Sequence, residues 1–314
     1  MSRRRRKPAR PGVAKISDLA ARARVAAPGS GRRGVRPRIF GFTRFSVYMP
    51  GSGAWRVTNG SLFSSEAEYV EHLYSDERLS VRFDIFARLA APIYQDMAEA
   101  APPVGYRHVV HHSPQMPEKW REELFTLAER YPVLLLNETS GQIDDQGFVR
   151  ERLCADGAPP GPVAWFRVDD DDLLSVDYVA DLAGYLNEGD VGRAVSFASG
   201  ATAVYAAGRV SDLRLQHYPM VSCGLASIAR FDHLGRLWGR PQNVAHNKTD
   251  TVCPVVVDSR KLSFLRLVHD LQDTRLGRND KEKQRAVARR AKQPAAGDPH
   301  SVIAKFPTLR EAVA

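Results

Sequence analysis

The chain has only three cysteines in 314 residues, Cys154, Cys223 and Cys253, widely separated and without a CxxC pair. That spacing excludes the usual zinc and dithiol motifs, and an odd count does not suit a fold stapled by disulfides. All three read as free thiols. Long apolar runs are missing too: nothing approaches the roughly 18 to 20 residues needed to span a bilayer. The N-terminus also lacks the apolar segment and cleavage site of a secretory signal. The expected compartment is the cytoplasm. There is no internal repeat.

Acidic residues are scarce at the two ends. Residues 1–38 hold 13 Lys/Arg against Asp18 alone, a net +12, and residues 275–314 hold 10 Lys/Arg against 4 acids, a net +6. The whole chain carries +9, which leaves −9 for residues 39–274. The basicity belongs to the tails and the body is acidic. Both tails are also poor in core-forming side chains, so a basic arm over 1–37 and a basic, largely mobile tail over 275–314 are expected. Val302, Ile303, Ala304 and Phe306 are the exception, able to dock locally. A basic arm of this kind suits a solubilising tail, peripheral contact with an anionic membrane at its inner face, or nucleic acid, and charge alone does not choose.

Hydrophobic content of 43% is ordinary for a globular body of this length. Residues 38–48 are aromatic and β-branched and lead into Pro50-Gly51-Ser52-Gly53, a strand entering a loop. From Asp76, Leu79, Phe83, Phe86, Leu89, Ile93 and Met97 recur at helical spacing, with Pro92 as a kink. Strands are predicted at Tyr106 to His112 and Val133 to Leu136, with a helix around Trp120, Leu124 and Leu127 between them. That is a βαβ unit. A helix over 144–154 precedes a strand over 163–168. Beyond residue 190 the pattern turns to short β runs, with Gly208 and Gly235 in hairpin turns, and a last helix fits 259–271.

Four consecutive aspartates, Asp169 to Asp172, end the strand Val163 to Val168 and precede Leu173-Leu174-Ser175, read as the start of a helix. Carboxylates packed this closely repel one another unless a cation lies among them. Mn2+ or Mg2+, held partly by carboxylates and partly by a substrate diphosphate, would supply that charge. The structural alternative is a helix N-terminus, where aspartate caps and complements the dipole.

Further candidates are weaker one by one. Arg44 ends the first strand, and Arg78 and Arg82 lie one helical turn apart, as suits phosphate contacts or surface salt bridges. His246 and Lys248 share a polar stretch that could meet a metal or a phosphate, or could be a surface loop. His108 and His112 share a strand face but read as structural.

In sequence order, Thr43-Arg44-Phe45-Ser46-Val47, Glu77-Arg78-Leu79 with Arg82-Phe83, Pro92 with Gln95, His112-Ser113-Pro114-Gln115-Met116-Pro117 and Phe166-Arg167-Val168-Asp169-Asp170-Asp171-Asp172-Leu173 resemble a bacterial rhamnosyltransferase family. That family is similar to metal-dependent glycosyltransferases of the GT-A type, and the resemblance covers about residues 39–270. It implies a GT-A-like, mostly parallel sheet flanked by helices, with a nucleotide half over 38–190 and a β-rich acceptor half over 191–274. It also implies a nucleotide-sugar donor, a glycan or related acceptor, and a DxD motif in which Asp169 and Asp171 reach metal and donor, supported by Asp172. Arg44 would lie beside the nucleotide and His246 would be a late metal ligand. Asp232 or Asp212 is available as a catalytic base, and Gly224 could let substrate approach the backbone. The same carboxylates would also serve a phosphohydrolase or a nucleotidyltransferase.

Overall fold

The computed structural model describes residues 38–49, 62–100, 104–141, 143–239, 244–273 and 280–313. The expected arm over 1–37 and the loop at Pro50 to Gly53 lie outside them. Strands β1 (Ile39–Arg44), β2 (Tyr106–His112), β3 (Leu134–Glu138) and β4 (Gly161–Arg167) are parallel neighbours, in the order β4-β1-β2-β3. In β1, Ile39 packs to one side while Phe40 and Phe42 pack to the other, the period of two expected of a strand buried on both faces. Helices α4 (Glu118–Arg130) and α5 (Asp145–Ala155) make the crossovers.

The sheet continues through later strands. β9 (Ala226–Phe231) runs antiparallel between β4 and β6 (Ala194–Phe197), and β11 (Val255–Asp258) closes that edge parallel to β6. β10 (Leu237–Trp238) pairs with β9. The expected α/β class, with a mostly parallel central sheet flanked by helices, is what the chain adopts. Strands from both sides of residue 190 share this one sheet.

A second sheet has the order β5-β12-β7-β8, built from β5 (Asp172–Leu174), β12 (Phe264–Val268), β7 (Ser199–Ala206) and β8 (Arg209–His217). Two expectations are corrected here. Asp172 opens a strand, so the acidic run lies between two strands and does not cap a helix. The helix expected over 259–271 is instead β12, held between β5 and β7. Phe264, Leu265 and Leu267 are all buried, and such a short apolar run has no period that separates helix from strand.

The long helix expected from Asp76 is α2 (Asp76–Ile85), a π-helical turn over Phe86–Ala90, and α3 (Ala91–Ala100). The amide of Ala91 bonds to Phe86 O, five residues back. Pro92 has no N–H to give to the residue four before it, and the widened turn absorbs the missing bond. α1 (Glu66–Leu73) precedes α2, and Ser75 caps α2 by accepting from the Arg78 amide. Gly208 and Gly235 occupy turns with positive φ, as expected. Among the described residues, no helix is long and apolar enough to cross a membrane.

The C-terminal expectation is also corrected. α7 (Asp280–Ala291) is exposed, but residues 294–313, including α8 (Pro299–Lys305), pack against the body. Val302, Phe306, Leu309 and Ala312 are fully buried. The backbone bonds Leu215 N to Pro294 O, Ala296 N to Leu213 O and Val210 N to Ala312 O cover the edge of β8. Such an exposed strand edge is otherwise open to pairing with other chains.

Candidate active site

The C-terminal ends of β1 and β4 carry Arg44 and Arg167, and the acidic run follows β4 directly. In open α/β sheets, ligands bind beyond these strand ends. The Asp172 amide donates to Asp169 O at 3.2 Å, folding residues 169–172 into a tight turn. Within it, one ligand oxygen each from Asp169, Asp171 and Asp172 lies within 4.8 Å of the others. Asp169 is exposed, and Asp170, Asp171 and Asp172 are buried.

The buried acids have basic partners on other elements. Arg82 of α2 donates to Asp170 and lies 3.5 Å from Asp171 and 3.3 Å from Asp273. Arg78 grips Asp273 with two nitrogens at 3.2 and 3.0 Å, and donates to Ser46 Oγ and Leu73 O. Arg266 of β12 lies 3.8 Å from Asp172 because the β5–β12 register sets the two opposite each other. His269, just past β12, places Nε2 3.1 Å from Asp171 Oδ2.

Burial alone would discharge every one of these groups, and their partners decide the outcome. Burial pushes Asp170 up to about 6 despite Arg82. It also drives Asp172 well above the usual carboxylate range, only partly offset by Arg266. For Asp171 burial is outweighed by Arg82 and His269, and for Asp273 by Arg82, His72 and Arg78, so both are held below that range. Burial opposes the Arg82 charge as well, but Asp170, Asp171 and Asp273 outweigh it and raise its pKa.

Counting side chains separates an inner group from a mouth. Inside, five carboxylates (Asp169 to Asp172 and Asp273) face three guanidiniums (Arg78, Arg82 and Arg266). The carboxylates outnumber the guanidiniums by two, and one divalent cation on the Asp169, Asp171, Asp172 oxygens would offset that excess and favour the ionised form of the raised acids. At the mouth, Arg44 at 3.7 Å and Arg167 at 4.0 Å share Asp145, which His111 Nε2 also holds at 2.9 Å, and both arginines act on Asp169 as well. Burial and the neighbouring Arg167 depress the pKa of Arg44. Two guanidiniums beside a cation site can meet the charge of an anion.

The remaining candidates lie elsewhere. His246 donates Nδ1–H to Met220 O at 2.6 Å and is not among the converging ligand atoms. Lys248 is exposed on the same 3-10 turn, His246–Thr251, with no hydrogen bond or ion pair to the acids. Asp232 is occupied by the amides of Leu234 and Arg236 and by Arg236 Nε, each at 2.9 Å. It follows Phe231, which pairs with Gly161 at the start of β4, so it lies about 20 Å of strand from the acidic run. Asp212 pairs with Arg214 and Arg290 and anchors the end of α7. Gly224 has φ +78° and a position where a Cβ would meet Leu174 and Tyr178 at 2.9 Å, so its close approach is to the core. Arg78 and Arg82 face the acids, where they act as their counter-ions.

Sequence reasoning missed Arg167, Asp145, Asp273, Arg266 and His269. Arg167 adjoins the run and Asp145 opens a predicted helix, so those two carried some signal. The other three carried none.

A family profile described as "Putative rhamnosyl transferase" matches residues 38–281. The chain belongs to that family. The match takes in β1 to β12 and every residue of the inner group and the mouth, and stops where α7 begins. No curated protein matches the chain. Among solved structures, TarS 1-349 of S. aureus is 8% identical, covering 81% of this chain and 70% of its own, with a TM-score of 0.34. A 4-diphosphocytidyl-2C-methyl-D-erythritol synthase is 14% identical (76% and 97% covered, TM-score 0.33). The inositol-1-phosphate CTP transferase from T. maritima is 11% identical (80% and 95% covered, TM-score 0.27). At these scores the likenesses say nothing of activity.

Proposed function

We propose that this rhamnosyl transferase family member is a metal-dependent glycosyltransferase, moving a sugar from a nucleotide-sugar donor to a glycan or related acceptor. One observation carries the reading: the convergence of Asp169, Asp171 and Asp172 at the end of β4 beside a mouth that carries Arg44 and Arg167. A divalent cation, Mn2+ or Mg2+, fits the first, and the diphosphate of a donor bridging cation and arginines fits the second. Rhamnose enters on the family's description alone.

When bound, such a cation supplies Lewis-acid stabilisation of the charge that develops on a nucleoside-diphosphate leaving group. The chain's own groups do the rest. Asp169, the exposed member, would face solvent and donor, and Asp171 and Asp172 would hold the ion from the protein side. Arg44 and Arg167 take phosphate charge as the bond to the sugar breaks, which favours the transition state over the ground state. An inverting reaction also needs a carboxylate base at the acceptor hydroxyl. Asp232 and Asp212 are engaged away from the site and are not assigned that role.

The same carboxylates would serve a phosphohydrolase or a nucleotidyltransferase. Incubation with Mn2+ and a panel of nucleotide sugars, with and without candidate acceptors, separates the readings. Release of nucleoside diphosphate that requires an acceptor is the expected result. Phosphate or pyrophosphate release without one would overturn transfer.

A further inference from the structure

Helix α7 (Asp280–Ala291) begins where the family profile ends, at residue 281. Its C-terminal end is tied to the second sheet. Arg290 donates to the Asp212 carboxylate and to Asp212 O, and Arg214 Nη1 donates to Ala291 O and Gln293 O, both at 3.0 Å. These contacts turn the Arg290 side of the helix toward the body.

Away from that side runs a stripe of cations. Lys281, Arg285 and Arg289 recur every four residues, and Lys292, whose amide bonds to Arg289 O at 3.3 Å, follows three later. At about 100° per residue the four fall within roughly 80° of the helix circumference, over about 16 Å of its length. Arg290 lies at least about 100° from each of them. All four are exposed, without an ion pair to any described carboxylate. The flank beside the stripe is uncharged: Gln284, Val287, Ala288 and Ala291 are exposed there, Val287 at 61%.

A row of unpaired cations on one line of a helix calls for a polyanion, and the flanks say which kind. A helix set in a nucleic-acid groove meets phosphates on both sides. Here one flank is uncharged and the other carries Glu282. A flat surface touches a helix along one line, and an exposed valine beside that line suits the boundary between lipid headgroups and acyl chains.

We propose that α7 is a membrane-contact helix, laying Lys281, Arg285, Arg289 and Lys292 on the headgroups of an anionic lipid bilayer with Val287 at its edge. Each Lys or Arg close to such a surface strengthens binding about five-fold, so four give contact that is reversible and weakened by salt. The proposal is independent of the metal and donor readings.

The test is co-sedimentation of the full chain, without metal or nucleotide, with phosphatidylcholine vesicles that contain or lack phosphatidylglycerol. The wild type should bind the anionic vesicles at low ionic strength and be released by salt. Replacing Lys281, Arg285, Arg289 and Lys292 together by alanine should weaken that binding several hundred-fold, with the melting temperature unchanged. A control with the same loss of charge elsewhere, alanine at the exposed Lys119, Arg130, Arg150 and Arg209, should keep most of it.

Wild-type binding by the stripe variant would overturn the proposal, as would an equal loss in the control, which would reduce the effect to net charge. No binding of anionic vesicles by the wild type would also overturn it. Duplex DNA bound through the stripe while vesicles are ignored would assign α7 to nucleic acid. Self-association lost in the stripe variant, again with vesicles ignored, would assign it to a second copy of the chain. Either result would sink the membrane contact and leave the proposed glycosyl transfer untouched.

Discussion

The two ends of β4 both carry acidic residues, and they are built on opposite plans. At its N-terminal end, next to Phe231, Asp232 is saturated by two amides and Arg236 within four residues of itself. At its C-terminal end the acids find partners on α2 and β12 and past β12, and carboxylates still outnumber guanidiniums there. A carboxylate satisfied by its own turn is a fastener. A cluster with perturbed acids and partners drawn from distant elements is where the proposed cation site lies.

Arg82→Leu should give the largest effect. It leaves Asp170, Asp171 and Asp273 buried without their shared guanidinium, and breaking a buried ion pair in this way costs about 3 to 5 kcal/mol. Urea unfolding of the ion-free protein measures it, and a loss no greater than that of an exposed arginine would erase the contrast between the two ends. Asp171→Asn should retain the fold and lower metal-dependent transfer on the order of 100-fold. Full turnover in that variant would remove the cation site from the reaction.

A smaller effect should appear with pH. Burial raises Asp172 well above the usual carboxylate range, so the ion-free site carries an extra proton on a proposed ligand. Carboxylates with raised values bind protons more tightly folded than unfolded, and a cation must displace those protons. Mn2+ affinity should therefore rise with pH as Asp172 ionises, with proton release seen by calorimetry in buffers of different ionisation enthalpy. A flat profile would mean that the acids are already ionised. Asp232→Asn should change least, slightly lowering the melting temperature with turnover intact. A loss of transfer matching that of Asp171→Asn would collapse the comparison from the other side.

Much of the architecture was legible in the chain. β1, β2 and β4 announce themselves as apolar runs because they are buried on both faces, β3 by Val133 to Leu136 although it is a partly buried edge strand, and Pro92 marked the irregular turn between α2 and α3. β12 was misread because Phe264-Leu265-Arg266-Leu267-Val268 has no distinguishing period. Its neighbours β5 and β7, far away in sequence, decide its form. The same reason limits the site. The acidic run and Arg44 stand in recognisable motifs, whereas His269 is a single residue 98 positions from the acid it holds. Arg82 was visible as a phosphate contact or a salt-bridging residue, but its partners Asp170, Asp171 and Asp273 were not. The docking of Phe306 was legible as an apolar cluster in a basic tail, whereas that of Leu309, alone among polar neighbours, was not.

That long separation also has a temporal meaning. A ribosome makes Asp169 to Asp172 well before Arg266, His269 and Asp273. Until those residues emerge, the nascent acidic turn has only the α2 arginines to draw it inward, and β5 has no β12 to pair with. The acidic end of the sheet is therefore completed late in synthesis, and a chain cut short before residue 264 would carry the whole acidic motif without the partners on and past β12.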